Sequence, residues 1–209
     1  MSRGPDSLGV AATAVADGPA PRPRFWNVPN TLTVGRLALA CVVFVLMAFH
    51  QYALALGAFL LAALTDALDG YFARLLGQDT PIGRQLDPLI DKVIVSGCYI
   101  DLAAIPGTGV FPWMVTAIVV RELLIQGLRS LLEGQGQPFG AKLAGKLKTT
   151  VQCLSISAAL LVLSLGTTAP GLLWIRDILT WLAVALTIYS GASYLIGAMP
   201  ALRGQASRS

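Results

Sequence analysis

Four aspartates stand at helical spacing in the most polar part of the chain. Asp66 and Asp69 are three residues apart, and Asp87 and Asp91 are four residues apart. Residues at these spacings lie on one face of an α-helix, so each pair presents two carboxylates in one direction. Crowded carboxylates repel one another unless cations neutralise them, and oxygen-only ligands favour Mg²⁺ or Mn²⁺ over Zn²⁺. The spacing therefore predicts a site for one or two divalent cations, with Arg74 and Lys92 offsetting part of the negative charge. Two metals bridged by these carboxylates would form a site for phosphoryl-type displacement.

The same aspartates allow two other interpretations. Juxtamembrane charges can mark the water boundary, although four carboxylates in phase on two helices exceed what that role requires. Intramembrane carboxylates also line ion pathways, so a divalent-cation transporter is the alternative class of function. A transport pathway favours charges near the middle of a span, whereas these aspartates cluster at one end.

The composition predicts that membrane-spanning helices hold these residues. Hydrophobic residues make up 55% of the 209 residues and charged residues 12%, against about 25% charged residues in soluble domains. With a mean hydropathy of +0.69, this composition excludes a soluble globular domain, a disordered chain and a coiled coil. A span needs about 20 apolar residues, and the sequence predicts an all-α protein with six of them: 31–49, 52–73, 87–105, 110–132, 148–166 and 171–196.

The distribution of cations predicts the orientation in the membrane. All of the 15 Lys and Arg residues except Arg176 fall in four bands that recur once per helical hairpin. Because Lys and Arg accumulate on the cytoplasmic side, both termini are predicted to be cytoplasmic. The net charge of +4 is explained by this topology, and no nucleic-acid partner is expected.

The two ends of the chain are predicted to be tails around one membrane domain. Residues 1–26, rich in Gly, Ala and Pro, are predicted to be flexible, and residues 200–209 form a C-terminal tail. A signal peptide is the competing interpretation, since Ala14-Val15-Ala16 resembles a cleavage site. The membrane domain is then expected to cover residues 27–199.

The aspartates belong to a longer pattern that resembles the signature of the CDP-alcohol phosphatidyltransferase family, D-x-x-D-G-x-x-A-R-x8-G-x3-D-x3-D. Every fixed position of that signature is met, by Asp66, Asp69, Gly70, Ala73, Arg74, Gly83, Asp87 and Asp91. The resemblance extends over most of residues 26–196. It implies a six-helix membrane domain that forms a homodimer and transfers a substituted phosphate from a CDP-linked donor to an alcohol, with release of CMP.

The resemblance also implies roles for single residues. Asp66, Asp69 and Asp87 resemble ligands of a centre of two Mg²⁺ or Mn²⁺ ions, and Asp91 resembles both a metal ligand and the general base for the acceptor hydroxyl. The positions expected to bind or border CDP-diacylglycerol are Asn30, Thr33, Gly70, Ala73, Arg74, Thr80 and Gly83. For Asn30 and Thr33, capping of the first helix is the alternative role.

Three further segments, 27–36, 121–129 and 145–152, resemble bacterial members of this family whose acceptor is sn-glycerol 3-phosphate. The phosphate of that acceptor is a dianion and needs cations near the metals. The candidates are Arg121, Arg129, Lys146 and Lys148. Glu122, Gln126 and Arg129 share a helix face, whereas the two lysines are two residues apart, a spacing that disfavours both reaching one ligand. The alternative is that some of these cations set topology or bind anionic lipid head groups.

The resemblance as a whole implies one reaction. The phosphatidyl group of CDP-diacylglycerol is transferred to sn-glycerol 3-phosphate, which gives phosphatidylglycerophosphate and CMP for phospholipid biosynthesis. Phosphatidylglycerol, as in cardiolipin synthesis, and an inositol phosphate are the alternative acceptors within the family. The implied location is a bacterial cell (inner) membrane with the active site facing the cytoplasm, and a mitochondrial membrane is the alternative.

Overall fold

Long apolar stretches give long helices, and the computed structural model contains six of them. It describes residues 28–76, 81–134 and 143–206, with side chains described over 35–65, 90, 92–132, 134 and 147–199. The helices are α1 (Val28–Ala48), α2 (Tyr52–Leu76), α3 (Pro81–Ala104), α4 (Pro112–Gly134), α5 (Leu143–Leu165) and α6 (Pro170–Ala206). No strand occurs in these described ranges. The prediction of an all-helical chain with six helices is therefore confirmed for them.

Three of the six described helices begin at a proline. Pro81, Pro112 and Pro170 each occupy the first position of a helix, where the missing N–H group would have no partner within the helix. The sequence prediction placed Pro88 in the first turn of α3, and this was wrong, because α3 already begins at Pro81.

Several helix ends extend beyond the predicted spans. α5 begins at Leu143 rather than at 148, and α6 continues to Ala206 rather than ending at 196. Hydropathy locates the apolar part of a helix, whereas Lys, Arg and Gln have good helix propensity and continue the same helix beyond it. The polar ends that carry the candidate site residues are therefore helical.

The core lies where α3 meets its neighbours. Tyr99 and Leu102 of α3 are fully buried and contribute to one cluster with Met47 of α1, Met114 of α4 and Leu160 of α5. The main helix pairs in the described part of the chain are α1–α2, α1–α3, α2–α5, α3–α4, α3–α5, α4–α6 and α5–α6. α3 therefore touches three helices, α1, α4 and α5.

Polar pairs join α5 to α6 inside the bundle. Gln152 Nε2 donates to Thr187 Oγ1 at 3.1 Å, and the hydroxyls of Ser155 and Thr180 are 3.0 Å apart. All four side chains are buried. Hydrogen bonds between buried polar groups remove the cost of leaving them unpaired, so these pairs fix how α5 and α6 face one another.

The outer surface is apolar to an extent unusual for a soluble protein. Large hydrophobic side chains such as Leu131, Leu165 and Ile178 are more than half exposed. Among the described residues, Leu147–Leu165 and Pro170–Met199 are long and apolar enough to cross a membrane, and Gly35–Ala48 and Tyr52–Thr65 are shorter apolar helices. An exposed apolar surface of this kind fits contact with lipid.

Candidate functional site

The four motif aspartates lie in the facing ends of two consecutive helices. Asp66 and Asp69 belong to α2, Asp87 and Asp91 belong to α3, and the chain between the two helices is only residues 77–80. Their side chains lie outside the described residues, so the carboxylate site stays a prediction. The same applies to the side chains of Asn30, Thr33, Gly70, Ala73, Arg74, Gly83 and Lys146, and Thr80 falls within residues 77–80.

A cavity separates α2 from α3 beside this motif. It contains about 490 Å³ of empty space, part of it open to solvent, and its walls include Ala62 of α2 and Ile90 of α3. Ala62 lies one turn before Asp66, and Ile90 directly precedes Asp91. The cavity therefore adjoins the helix segments that carry the aspartates.

The cavity lies among four helices, α1, α2, α3 and α5. Direct contact between α2 and α3 is not among the main helix pairs of the described ranges, and both helices instead contact α1 and α5. Arg36 of α1 and Thr149 of α5 complete the polar part of the cavity wall. Small residues on α2, such as Ala62 and Ala63, leave this space open between the two helices.

A second polar group forms where α3, α4 and α5 meet, around one buried carboxylate. Glu122 of α4 is 5% exposed, and Lys148 of α5 is 3% exposed. Lys148 Nζ donates to Glu122 Oε1, and Arg121 Nη1 donates to the same oxygen at 3.1 Å. One carboxylate oxygen thus holds cations from two helices.

Lys92 joins this group from α3. Its Nζ donates to Gln126 Oε1 of α4, and it interacts electrostatically with Glu122 and with three other cations. We call the group formed by Lys92, Arg121, Glu122, Gln126, Arg129 and Lys148 the cation cluster. Among the described side chains, Arg121 and Lys148 contact the Glu122 carboxylate, Lys92 interacts with it electrostatically, and Arg129 lies near Lys92.

Helix α6 holds Arg121 from the other side. The Arg121 guanidinium carbon lies 5.7 Å from the centre of the Tyr194 ring, a distance suited to a cation–π contact. A Cβ atom at Gly191 would lie 2.9 Å from Arg121 Cγ. The glycine therefore gives the Arg121 side chain its path past α6.

The cation cluster is suited to binding an anion. Several cations lie close together in it and are partly buried, where charges interact more strongly than in water. Arg and Lys side chains from several helices can donate charge-assisted hydrogen bonds to the oxygens of a phosphate group. The arrangement therefore fits a small phosphate-bearing molecule.

The structure brings together some of the predicted acceptor-binding residues and adds others. Arg121, Arg129 and Lys148 were predicted and lie in the cluster, whereas Lys146 lies outside the described side chains. Lys92 was expected to offset part of the charge of the aspartates, whose side chains lie outside the described residues. Its nitrogen donates to Gln126. The only signal in the sequence for this contact was that Gln126 shares a helix face with Glu122, one turn away.

The described side chains contain no ready-made metal site. Among them, no group of three or more His, Cys, Asp or Glu residues lies close enough together to hold a metal ion. The candidate metal ligands of the sequence analysis are all outside this set.

Comparison with known proteins gives consistent matches. The sequence model of CDP-alcohol phosphatidyltransferase matches residues 26–189. A CDP-diacylglycerol–glycerol-3-phosphate 3-phosphatidyltransferase of Bacillus subtilis (strain 168) is 34% identical, covering 81% of this chain and 93% of its own length. An enzyme of the same name from Cereibacter sphaeroides is 34% identical over 86% of this chain and 99% of its own length. A probable phosphatidylglycerophosphate synthase of Mycobacterium tuberculosis is 33% identical over 95% of this chain and 94% of its own length.

Proposed function

The chain belongs to the CDP-alcohol phosphatidyltransferase family, and on that premise we propose that it transfers the phosphatidyl group of CDP-diacylglycerol to sn-glycerol 3-phosphate. The products are phosphatidylglycerophosphate and CMP. The observation that carries the choice of acceptor is the cation cluster, in which cations from α3, α4 and α5 gather near the buried carboxylate of Glu122. The names of the matched relatives point to the same acceptor.

The charge of the cluster favours a phosphate monoester over the alternative acceptors. A monoester such as glycerol 3-phosphate brings close to two negative charges at neutral pH, whereas the phosphodiester of phosphatidylglycerol brings one. An inositol phosphate would also supply a monoester, and here the relatives' names decide for glycerol 3-phosphate. Arg121, Arg129 and Lys148 are the proposed phosphate ligands, with Lys146 and Lys92 adjoining them.

The donor is proposed to bind beside the α2–α3 cavity. Asp66, Asp69, Asp87 and Asp91 would hold one or two Mg²⁺ or Mn²⁺ ions, in line with the general dependence of this family on divalent metals. The oxygen-only donor set fits hard cations of this kind. When bound, such ions polarise the diphosphate of the donor and stabilise the charge that develops on its oxygens.

The proposed positions around the donor's CDP moiety follow from the family signature. They are Asn30, Thr33, Gly70, Ala73, Arg74, Thr80 and Gly83. Small residues at these positions would let the nucleotide approach the backbone closely.

The proposed chemistry requires one proton acceptor. Asp91 removes the proton from the acceptor hydroxyl as its oxygen forms a bond to the phosphorus that carries the diacylglycerol. The bond from that phosphorus to the bridging oxygen breaks, and CMP leaves with the electron pair. Ile90, next to Asp91, lines the cavity, which supports an approach of the donor to this carboxylate.

The proposed setting is a cell membrane crossed six times, with both termini and the active site on the cytoplasmic side. Two apolar helices of sufficient length and the exposed hydrophobic surface support this setting. Trp113 and Trp174, near the starts of α4 and α6, are at least half exposed, as expected for an aromatic belt at the opposite interface. We also propose that the membrane domain covers residues 27–199 and forms a homodimer, as the family resemblance implies.

The test is CMP release by the purified protein in mixed micelles with CDP-diacylglycerol and Mn²⁺ or Mg²⁺. Four acceptors are compared: glycerol 3-phosphate, phosphatidylglycerol, an inositol phosphate and serine. We expect CMP release only with glycerol 3-phosphate, and only with donor and metal present together. Turnover with another acceptor but not with this one would overturn the assignment, and Mn²⁺ uptake into protein-containing vesicles without any CDP-lipid would favour a transporter.

A further inference from the structure

We propose that Glu122 and Gln126 of α4 are positioning residues that fix cations from α3, α4 and α5 in the geometry of one phosphate-binding site, and so set the preference for an acceptor that carries a phosphate monoester. The identity of that acceptor rests on the proposed function. The geometric part of the proposal rests on the cation cluster alone.

The first argument is the position of the two residues on α4. Glu122 and Gln126 are four residues apart, so they stand one above the other on the same helix face. Glu122 accepts hydrogen bonds from Lys148 and Arg121, and Gln126 accepts one from Lys92. α4 thus presents two neighbouring acceptors, one to a lysine of α5 and one to a lysine of α3.

The second argument is the burial of an acidic residue among cations. Glu122 is 5% exposed and Lys148 is 3% exposed. Lys148 Nζ donates to Glu122, and breaking a buried ion pair is strongly destabilising, so the loss of Glu122 would disturb the position of Lys148. Repulsion from Arg121 and Lys92 would add to this disturbance.

The third argument is that the two acceptors differ in charge. Glu122 offsets one of the four positive charges of the cluster, whereas the Gln126 amide orients Lys92 without reducing its charge. Together they hold Lys92, Arg121 and Lys148 at one place between α3, α4 and α5. A neutral alcohol would gain little from this arrangement, whereas a phosphate dianion would gain several charge-assisted hydrogen bonds.

For the variant Glu122→Gln, the proposal and a simple count of charges predict opposite changes in acceptor affinity. Glu122→Gln keeps the size of the side chain and removes a negative charge next to the phosphate site. If charge alone mattered, acceptor binding would become tighter. If Glu122 positions Lys148 and Arg121, the loss of their orientation makes binding weaker.

The experiment measures KM for glycerol 3-phosphate and for CDP-diacylglycerol in Glu122→Gln and in Gln126→Leu. We expect KM for the acceptor to rise about tenfold or more in Glu122→Gln, the effect of losing one well-placed charged hydrogen bond. A rise of several-fold is expected in Gln126→Leu, and KM for the donor should stay unchanged in both variants. An unchanged or lower acceptor KM in Glu122→Gln would overturn the proposal.

Gln152→Leu is the matched control. It removes a buried hydrogen bond to Thr187 between α5 and α6, one turn along α5 from Lys148 but outside the cation cluster. It should lower thermal stability without raising the acceptor KM. A rise in acceptor KM equal to that of Glu122→Gln would show that any loosening of the bundle has this effect, and would overturn the positioning role.

Glu122→Asp is a second, more conservative variant that can be tested if Glu122→Gln fails to fold. It keeps the charge and shortens the side chain by one methylene, so a positioning role predicts a raised acceptor KM although the net charge is unchanged. An acceptor KM equal to that of the wild type would contradict the proposal.

A binding assay separates this proposal from the proposed function. Inorganic phosphate alone is titrated against the full-length protein, and protection from thermal unfolding is measured. We expect protection of the wild type and of Gln152→Leu, and weaker protection of Glu122→Gln at the same phosphate concentration. Phosphate protection with this pattern would support the positioning role even if glycerol 3-phosphate gave no turnover, whereas equal protection of all variants would refute it.

Discussion

Replacing Lys148 with methionine removes the least exposed cation of the cation cluster while nearly keeping the length of the side chain. Lys148 is 3% exposed, and its Nζ donates to Glu122 Oε1. A hydrogen bond to a charged group contributes about 1.5–3 kcal/mol, and each 1.4 kcal/mol corresponds to about tenfold in binding. If Lys148 contacts the acceptor phosphate, Lys148→Met should raise KM for glycerol 3-phosphate by about 10- to 150-fold.

The same substitution should also lower stability, and this effect must be separated from the first. Removing one partner of a buried ion pair typically costs about 3–5 kcal/mol, because the other charge stays buried. Here Arg121 Nη1 still donates to Glu122 at 3.1 Å, so we expect a loss near the lower end of that range. The double variant Lys148→Met/Glu122→Gln also removes the buried negative charge that Lys148 neutralised, and it should recover most of this stability.

The two measurements on the two variants decide the role of Lys148. KM is obtained from CMP release with glycerol 3-phosphate varied at saturating CDP-diacylglycerol, and stability is obtained from thermal unfolding in the same micelles. We expect the double variant to regain stability while its acceptor KM stays high. Recovery of both quantities would refute the reasoning, because Lys148 would then serve only to neutralise Glu122.

Three further predictions concern single residues. Asp91→Asn should abolish CMP release while CDP-diacylglycerol still binds in an equilibrium binding assay, and full activity would remove the general-base role. Gly191→Ala should raise the acceptor KM several-fold with little effect on the donor KM, because the added Cβ would displace the Arg121 side chain. An unchanged acceptor KM would contradict a role for Arg121 in acceptor binding. Arg176→Ala should lower the unfolding temperature without changing either KM, since it removes the 2.6 Å hydrogen bond from Arg176 Nη1 to the carbonyl of Gly107. A change in either KM would contradict this purely structural role.

The existence of six helices could be predicted because long apolar stretches leave few other structures. The ends of the helices could not be predicted, because hydropathy identifies only the apolar part of a helix. The charged and polar residues that follow continue the same helix. Pro88 illustrates the limit: proline favours the first turn of a helix, but Pro81 already occupies the first position of α3. A helix that contains two prolines offers two possible starts, and propensity alone does not choose between them.

The sequence could predict which residues belong to the candidate site, but it could not predict all of their contacts. Arg121, Arg129 and Lys148 were singled out because their segments resemble those of a known family, and all three lie in the cation cluster. The contact from Lys92 to Gln126 depends on how α3 is rotated against α4. That rotation is decided by the packing of core residues such as Tyr99 and Met114. Residue spacing along the sequence does not contain this information.

Burial distinguishes a binding role for these cations from a role in membrane topology. A lysine that only marks the cytoplasmic side is most stable in water, where its charge is solvated, so nothing favours hiding it inside a helix bundle. Lys148 and Glu122 are both almost fully buried, and α3, α4 and α5 each contribute a cation to the same place. At the start of α6, by contrast, Arg176 is matched by Asp177 at 2.7 Å. Among the described side chains, Lys92, Arg121 and Lys148 meet at one buried carboxylate where α3, α4 and α5 come together, and we expect an acceptor phosphate to bind at these cations.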